Sequence, residues 1–594
     1  MTIFTSSHPP LTYPTDLTIW EWLFEPSLSA ASPFRKAEGE FLSQAEPLGA
    51  YVNAVTQESL SFEMVRQHAI RLSQALHAVY GIGPGDTVTL FSTNTIWYPV
   101  AMWAVLRLGG RVNGASPAYT VEEMVHAMKT ARTKLVFTLA RAIGVVGEAA
   151  ERVGLGREKV LVLDGDDGGT AAVMEGGGGE NDCERGAVVS LQDLVKVEGP
   201  RGEEEEEVLP HWRIQLGKTN KEVCGFLNFS SGTTGLPKAV MLSHHNVIAQ
   251  CMQLQQLQVM PDRGVYSILA VMPLFHITGL VRFCTYPVLM NGYSYMLPSY
   301  TLKGMLEAIC AYQIEELILV PPILIRLVRD AIVQQYDLTH VKRWSSGSAP
   351  IAPEVIKALQ AKFPSAGFRQ GYGATESTAC ITCHPPSHFD YKYATTGGKL
   401  VANTEAKVLS LEDGKRVLGI GETGEICARG PQIAMGYLDN EEATRQTFQD
   451  GWLHTGDVGH FDAEGLVHVE DRIKEMIKVK GLQVPPAELE DLLLGHEMVE
   501  DCAVTGVRDE WAGERPKAFV VLKKGIAENE TTGRVLLEFV KQNKVRYKWL
   551  VEVEFVDEVP KNATGKLLRR VLKLREKEGR QVGLRVREGE KARL

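Results

Sequence analysis

The sequence predicts an α/β fold over its larger N-terminal part, then a strand-rich portion and a small terminal unit. Three observations carry this. Strand-like apolar runs alternate with helix-spaced ones through the first third; the alternation resumes ahead of residue 223 and lasts to about residue 400; extended runs then dominate until a charged segment near residue 474. A chain of 594 residues is too long for one core, so at least two domains are expected, here 1–473 and 474–594.

Taken in order, residues 61–80 have helical spacing, 87–91 read as a strand, 98–108 as a helix and 134–138 as another strand. That succession argues a mostly parallel sheet covered by helices. Residues 164–207 break it. They are rich in Gly, Asp and Glu, with glycine at 176–179 and glutamate at 203–207, and bury too little apolar surface to order fully. A flexible surface insertion is expected there, with 188–197 as a short ordered piece. Residues 223–229 and 239–242 read as strands flanking a polar loop, and 405–409, 424–428 and 466–469 as the later strands. Pro485-Pro486 opens a helix over 487–494. Gly419-Ile420-Gly421-Glu422-Thr423-Gly424 has dinucleotide-fingerprint spacing, but a strand follows it where that motif needs a helix.

With 44% hydrophobic and 23% charged residues, the composition is that of an ordinary globular protein. A net charge of −10 gives no reason to expect nucleic acid or an anionic membrane as partner. No apolar run reaches the ~18 residues of a membrane span, and residues 1–21 lack the basic start and apolar core of a secretory signal. Nine scattered cysteines fit a reducing compartment. The one close pair, Cys380-Ile381-Thr382-Cys383, has redox- or metal-motif spacing but no second pair to complete a zinc site. The chain closes on Ala592-Arg593-Leu594, a close relative of the Ser-Lys-Leu peroxisomal address, so a peroxisomal import receptor is an expected partner; the cytoplasm is the alternative location.

The run Phe229-Ser230-Ser231-Gly232-Thr233-Thr234-Gly235-Leu236-Pro237-Lys238 places four hydroxyls, two glycines and a lysine in one loop. Glycines admit backbone N–H groups to phosphate oxygens and the ammonium offsets their charge, so the loop reads as a clamp for a nucleotide triphosphate; a solvated turn is the plainer reading of any such cluster. It is not a P-loop: Gly217-Lys218, Gly398-Lys399 and Gly565-Lys566 all lack the earlier glycine that pattern needs.

Three further motifs follow in order: Gln370-Gly371-Tyr372-Gly373-Ala374-Thr375-Glu376-Ser377, Trp452-Leu453-His454-Thr455-Gly456-Asp457 and Pro560-Lys561-Asn562-Ala563-Thr564-Gly565-Lys566. With the loop they make the chain resemble the adenylate-forming superfamily of acyl-CoA synthetases, firefly luciferases and peptide-synthetase adenylation domains, most of all its 4-coumarate-CoA ligase branch, over residues 58–570 apart from the insertion. The resemblance implies a large N-terminal domain of stacked α/β sheets plus a strand-rich subdomain, and a small, mobile α+β C-terminal domain hinged at Lys474. It implies ATP, Mg²⁺ and CoA, and a carboxylic acid that is first joined to AMP with release of pyrophosphate and then transferred to the CoA thiol. The alternatives are another acceptor, such as a carrier-protein thiol or luciferase-like O₂, and a non-catalytic acyl-nucleotide sensor. Lys238, Glu376, Asp457 and Lys566 together speak against the sensor.

The resemblance also assigns residues. Ser230, Ser231, Gly232, Thr233, Thr234, Gly235 and Lys238 would hold the departing pyrophosphate, with Thr233 and Lys238 counted as catalytic. Gly347, Ser348 and Ala349 would line one side of the adenine, Ser348 standing where relatives often carry Gly. Gly371, Tyr372 and Gly373 would line the other, the tyrosine offering its face; Thr375 would reach the phosphates and Glu376 is a hard oxygen ligand for Mg²⁺. Asp457 has two acceptor oxygens for the two ribose hydroxyls and Arg472 would add a donor, a surface ion pair being the alternative for both. Lys566 would bring a cation to the α-phosphate and be withdrawn with its domain afterwards. Lys478 and Gln483 match nucleotide- and adenylate-contacting positions, and Lys480 and Gly481 the loop that meets CoA. Phe275, His276, Thr278 and Gly279, with Val320 and Pro321, match the acyl pocket, where His276 is either a catalytic entrance residue or a buried structural histidine. Arg282 stands where plant coumarate ligases have a small or polar residue. A cation facing a plain aryl or alkyl chain is costly, so Arg282 either points away or meets a polar group of the substrate.

Overall fold

The computed structural model describes residues 2–35, 48–163, 189–196, 209–230, 237–349, 351–480, 482–561 and 567–588. Two calls made above, the loop residues 231–235 and Lys566, lie outside them, as do Gly481, Ala592-Arg593-Leu594 and most of the insertion. Within the insertion the described piece is the helix Leu191–Lys196, joined to the main sheet through a Val162–Ser190 bridge.

A seven-stranded sheet forms the first layer, in the order Gly436–Tyr437, Lys238–Ser243, Cys224–Ser230, Arg111–Ala115, Thr87–Phe91, Thr133–Thr138, Val160–Val162. Its last five strands are parallel and the first two antiparallel. The helix Phe62–Tyr80 is capped by the Ser61 hydroxyl and stops at Gly81, whose φ of 62° lies in the left-handed region. The helix Trp97–Arg107 is apolar all round and accordingly buried along its whole length. A four-stranded sheet (Ser267–Ala270, Tyr293–Met296, Ala50–Asn53, Ser59–Ser61) and a five-stranded one share a core with the first, in which Trp20, Trp103 and Trp344 are fully buried.

In the five-stranded sheet, Glu316–Leu319, Arg343–Ser346 and Gly367–Tyr372 run parallel, followed by Thr382–Cys383 and Lys399–Leu400. Register pairs Glu316 with Arg343, and Ser345 with Arg369. Because alternate residues of a strand share a face, Glu316, Arg343, Ser345 and Arg369 project from the same side. A buried parallel sheet is ordinarily apolar on both faces, so this polar face is unusual.

The strand-rich portion is a six-stranded sheet built on Glu405–Leu409, Gly424–Arg429, Trp452–Phe461 and Val467–Arg472, with its own core around Ile426, Phe461 and Val467. A strand follows Gly419–Gly424 as the sequence required. Residues 477–587 form a six-stranded sheet with the helices Pro486–Leu494, Glu530–Asn543 and Arg569–Lys577, around a separate core of Val479, Leu489, Val504, Val520, Leu536 and Phe555. Exposed Lys474 sits in the turn between the two units, where the Glu475 and Met476 amides donate to the Arg472 carbonyl at 2.9 and 3.0 Å. Among the described residues, polar contacts that bridge the units include Ala487 N–H to Asp471 at 2.9 Å and Arg329 to the Glu500 and Leu494 carbonyls at 3.0 and 3.4 Å.

Candidate active site

The polar loop joins two antiparallel strands, with Ser230 directly opposite Lys238. Lys238 holds its ammonium 4.8 Å from the centre of the Tyr437 ring, and the Tyr437 hydroxyl donates to Glu376 Oε1 at 2.8 Å. Burial, with Glu376 next to it, pushes the Tyr437 phenol well up, so it stays a donor. Glu376 sits in the turn Thr375–Ser377, and its carbonyl accepts from Ala434 N–H at 2.9 Å. Gly373 just before it cannot carry a side chain: a Cβ there would lie 2.0 Å from the Ala379 carbonyl oxygen.

Asp457 and Arg472 face each other across a ladder, with Nε 3.2 Å from the Asp457 carboxylate. The Tyr372 hydroxyl donates to the other Asp457 oxygen at 2.8 Å. Burial and then Asp457 push the Tyr372 phenol well above its ordinary value. A buried carboxylate held from two sides still has lone pairs for a diol. Ser348, beyond the strand Arg343–Ser346, has φ +71°, the conformation that glycine takes without cost and that explains why glycine suits this position. Tyr372, Asp457, Arg472, Ser348 and Ala349 line a cavity of about 250 Å³, closed on the other side by Asp491 and Lys561 of the terminal unit. Burial, then Glu490 and Glu354, raise the Asp491 carboxyl to about 7.

A second cavity, of about 490 Å³, shares Ser348, Gly371, Gly373, Arg472 and Lys561 with the first, so the two abut. That volume suits a small organic ligand, for which ~300–1,000 Å³ is usual. Ser230, Thr375 and Glu376 line one part, and Phe275, His276, Thr278, Arg282 and Val320 another. The Pro273–Leu280 segment is held by two asparagines that the sequence gave no reason to single out. Asn94 donates to the Ala270 and Met272 carbonyls at 2.9 and 3.1 Å and accepts from Leu274 N–H at 2.9 Å; Asn228 donates to the Phe275 carbonyl at 3.0 Å. His276 is half-buried at the wall, its Nδ1 3.4 Å from Thr278 N.

Arg282 lies in a π-helical stretch, Gly279–Thr285, and points inward: it is buried and lines the cavity. Its Nη2 is 3.9 Å from Glu316, which also takes Arg369 at 3.1 Å and Arg343 at 3.2 Å. Burial alone would raise the Glu316 carboxyl, but Arg369, Arg343 and Arg282 hold it well below the usual carboxylate range. The Cys383 thiol, hydrogen-bonded by Cys380 and 3.1 Å from Arg369 Nε, is likewise held below the ordinary thiol range against its burial. Glu316, Arg343 and Arg369 were missed by sequence reasoning, a charged residue inside each of three strand-like runs being the available signal; Cys383 was noted there only for its spacing from Cys380.

Two pocket assignments change. Gly279 does not line the cavity: a Cβ there would meet the Pro273 carbonyl oxygen at 2.2 Å, so its role is to let the two backbones touch. Pro321 lines the smaller, 250 Å³ cavity instead. Lys478 and Gln483 pair across an exposed hairpin with Lys480 beside them, and none of the three lines either cavity. Lys561, Leu568 and Arg570, on either side of the segment that carries Lys566, do line the larger one.

The model for AMP-binding enzymes matches residues 43–438, and that for the AMP-binding enzyme C-terminal domain matches residues 488–566. 4-Coumarate-CoA ligase 2 of Oryza sativa subsp. japonica is 34% identical, over 96% of this chain and 95% of that protein. Peroxisomal OPC-8:0-CoA ligase 1 of Arabidopsis thaliana is 34% identical, over 88% of this chain and 90% of that one. The crystal structure of ATP-bound MatB from Rhodopseudomonas palustris has the same fold, with a TM-score of 0.77 over 95% of this chain and all of its own, at 24% identity.

Proposed function

The chain belongs to the AMP-binding enzyme family, and from that premise we propose that it is an AMP-forming acid-thiol ligase: it joins a carboxylic acid to AMP and passes the acyl group to CoA. One observation carries the reading. The Tyr372–Asp457–Arg472 cluster and the residues around His276 line abutting cavities that share Ser348, Gly371 and Gly373, an arrangement that supports a nucleoside bound beside an organic acid.

In this reading Asp457 accepts from the ribose hydroxyls, Arg472 fixes its carboxylate, and the Tyr372 ring and the 347–349 strip enclose the adenine. The triphosphate then runs towards Ser230, the 231–235 loop and Lys238. Glu376 fits a Mg²⁺ site: it lines the cavity, and with Oε1 taken by Tyr437, Oε2 keeps its lone pairs for an ion that otherwise binds water and phosphate oxygens. Bound there, Mg²⁺ would supply charge neutralisation on the leaving pyrophosphate. The acid's carboxylate attacks the α-phosphorus, the bond to pyrophosphate breaks, and Lys566 supplies positive charge to that centre. The terminal unit then turns about Lys474, exchanging Lys566 for the hairpin of Lys478, Lys480, Gly481 and Gln483. CoA sulfur attacks the acyl carbon, and AMP leaves. The peroxisome is the location this reading favours, where one 34%-identical relative is placed by its name; a fluorescent fusion of the full chain that stays in the cytosol would refute it.

The test is AMP release by purified protein given ATP, Mg²⁺, CoA and a panel of carboxylic acids. Release that requires both an acid and CoA, with the matching acyl-CoA found by mass, supports the reading. Release indifferent to CoA would transfer the enzyme to another acceptor.

A further inference from the structure

We propose that the buried end of the acyl cavity is an anion-binding subsite, in which Arg282, backed by Arg369, receives a second carboxylate of the substrate, so that the acid activated is a dicarboxylic acid. The inference rests on the ligase reading and names its substrate class.

The charge balance comes first. Three guanidiniums, Arg282, Arg343 and Arg369, gather on one carboxylate, Glu316, and all four side chains are at most 9% exposed. The other titratable groups near them include Tyr266, Tyr286 and Cys251, which burial keeps protonated, Cys380, whose thiol is raised, His384, which burial keeps neutral, and Cys383. Even with Cys383 as thiolate, the cluster keeps one positive charge in excess. A buried excess charge calls for an opposite one, because solvation is what burial removes.

The hydrogen-bond balance agrees. Arg282 Nε and Nη1 are buried without a hydrogen-bond partner, as is Arg369 Nη2, and Glu316 stands 3.9 Å from Arg282, beyond hydrogen-bond reach. The Tyr286 ring, 4.9 Å from the Arg282 guanidinium, attracts the cation without neutralising it or accepting its N–H groups. Both arginines line the cavity that His276 borders, so a ligand in that chamber lies beside the residues that carry the spare donors. A carboxylate supplies both the charge and the acceptors, and guanidinium is the group best matched to it. A plain alkyl or aryl acid supplies neither.

The experiment compares matched acids: octanoate with octanedioate, decanoate with decanedioate, and cinnamate with 4-carboxycinnamate. kcat/KM for AMP release should favour the di-acid of at least one pair by about 100-fold, since a site built around buried polar groups strongly rejects an analogue that leaves them unpaired. In Arg282→Met that preference should reverse, with the mono-acid gaining; Arg282→Lys should restore part of it. A second readout needs no turnover: the di-acid alone should raise the thermal transition of the wild type and not of Arg282→Met, whose own folding the same melt reports. Turnover of mono-acids with di-acids ignored would overturn the subsite and leave the ligase reading standing. No AMP from any acid, with Arg282-dependent stabilisation by a di-acid, would keep the subsite and overturn the ligase. Neither AMP nor stabilisation would overturn both.

Discussion

Replacing Glu316 with Gln isolates the electrostatics of the acyl chamber. The carboxylate accepts from Arg369 at 3.1 Å, Arg343 at 3.2 Å, Gln258 at 3.1 Å and Ser345 at 3.3 Å, with Arg282 at 3.9 Å. Glutamine keeps the shape and removes the charge, leaving three buried guanidiniums unopposed. Removing one partner of a buried ion pair typically costs about 3–5 kcal/mol, most of it the penalty on the charge left behind. For a unit of about 470 residues that is a fall of roughly 3–5 °C in its transition. Buried Trp344, in the strand next to Glu316, should report it by fluorescence during thermal or urea unfolding. The carboxyl is depressed in the fold, so its contribution is complete above its unfolded value and is lost as pH falls below about 4.5 towards the folded value; the variant should show no such loss. In a double variant with Arg369→Met, the combined cost should be less than the sum, because one change removes the charge the other strands. A fall below ~1 kcal/mol in the single variant would mean that the guanidiniums are already hydrated, and the case for a dry, cation-rich chamber would collapse.

Asp457→Ala should weaken ATP binding by about 100-fold, the loss of two charge-assisted hydrogen bonds, and should also lower the melting transition, because Tyr372 and Arg472 lose their buried acceptor; calorimetric titration of the folded variant showing less than a threefold change would remove the ribose from Asp457. Lys566→Ala should abolish adenylate formation and spare acyl transfer from synthetic acyl-adenylate to CoA; equal loss of both half-reactions would refute its role. Ser348→Gly relieves a left-handed backbone and should stabilise the enzyme by roughly 1 kcal/mol, read from paired urea melts. Asp491 has a raised carboxyl, so the folded state holds its proton longer and wild type should lose stability relative to Asp491→Asn as pH rises from about 4 to about 7. Parallel melts of the two proteins across that range check the sign.

What the sequence made legible is what lies close together along it. The strands on either side of the polar loop, the helix over Phe62–Tyr80 and the strand Thr87–Phe91 are written in local periodicity, and the structure has them within a residue or two. The residues proposed for the nucleotide could be singled out for a related reason: Tyr372 and Glu376, or Asp457 and its neighbours, share one short motif each. The Glu316 cluster has no such motif. Its members come from three strands separated by crossover helices, and only the parallel register sets Glu316 beside Arg343 and brings Arg369 onto the same face. Arg282 alone could be flagged, because it follows the His276 segment closely; which way it points depended on the π-helical turn, which no periodicity announced.

The turn at Lys474 lies two residues from Arg472, and Arg472 is paired with Asp457. A pivot placed next to an anchor has almost no lever arm on that anchor and a long one on whatever sits across the small unit. Swinging that unit would sweep residues such as Lys561 and Arg570 through a wide arc while the Asp457 carboxylate barely shifts. On the proposed reading the nucleoside is thus the still point of the swing: two chemistries would be brought to it in turn, and the adenylate would not have to be let go between them.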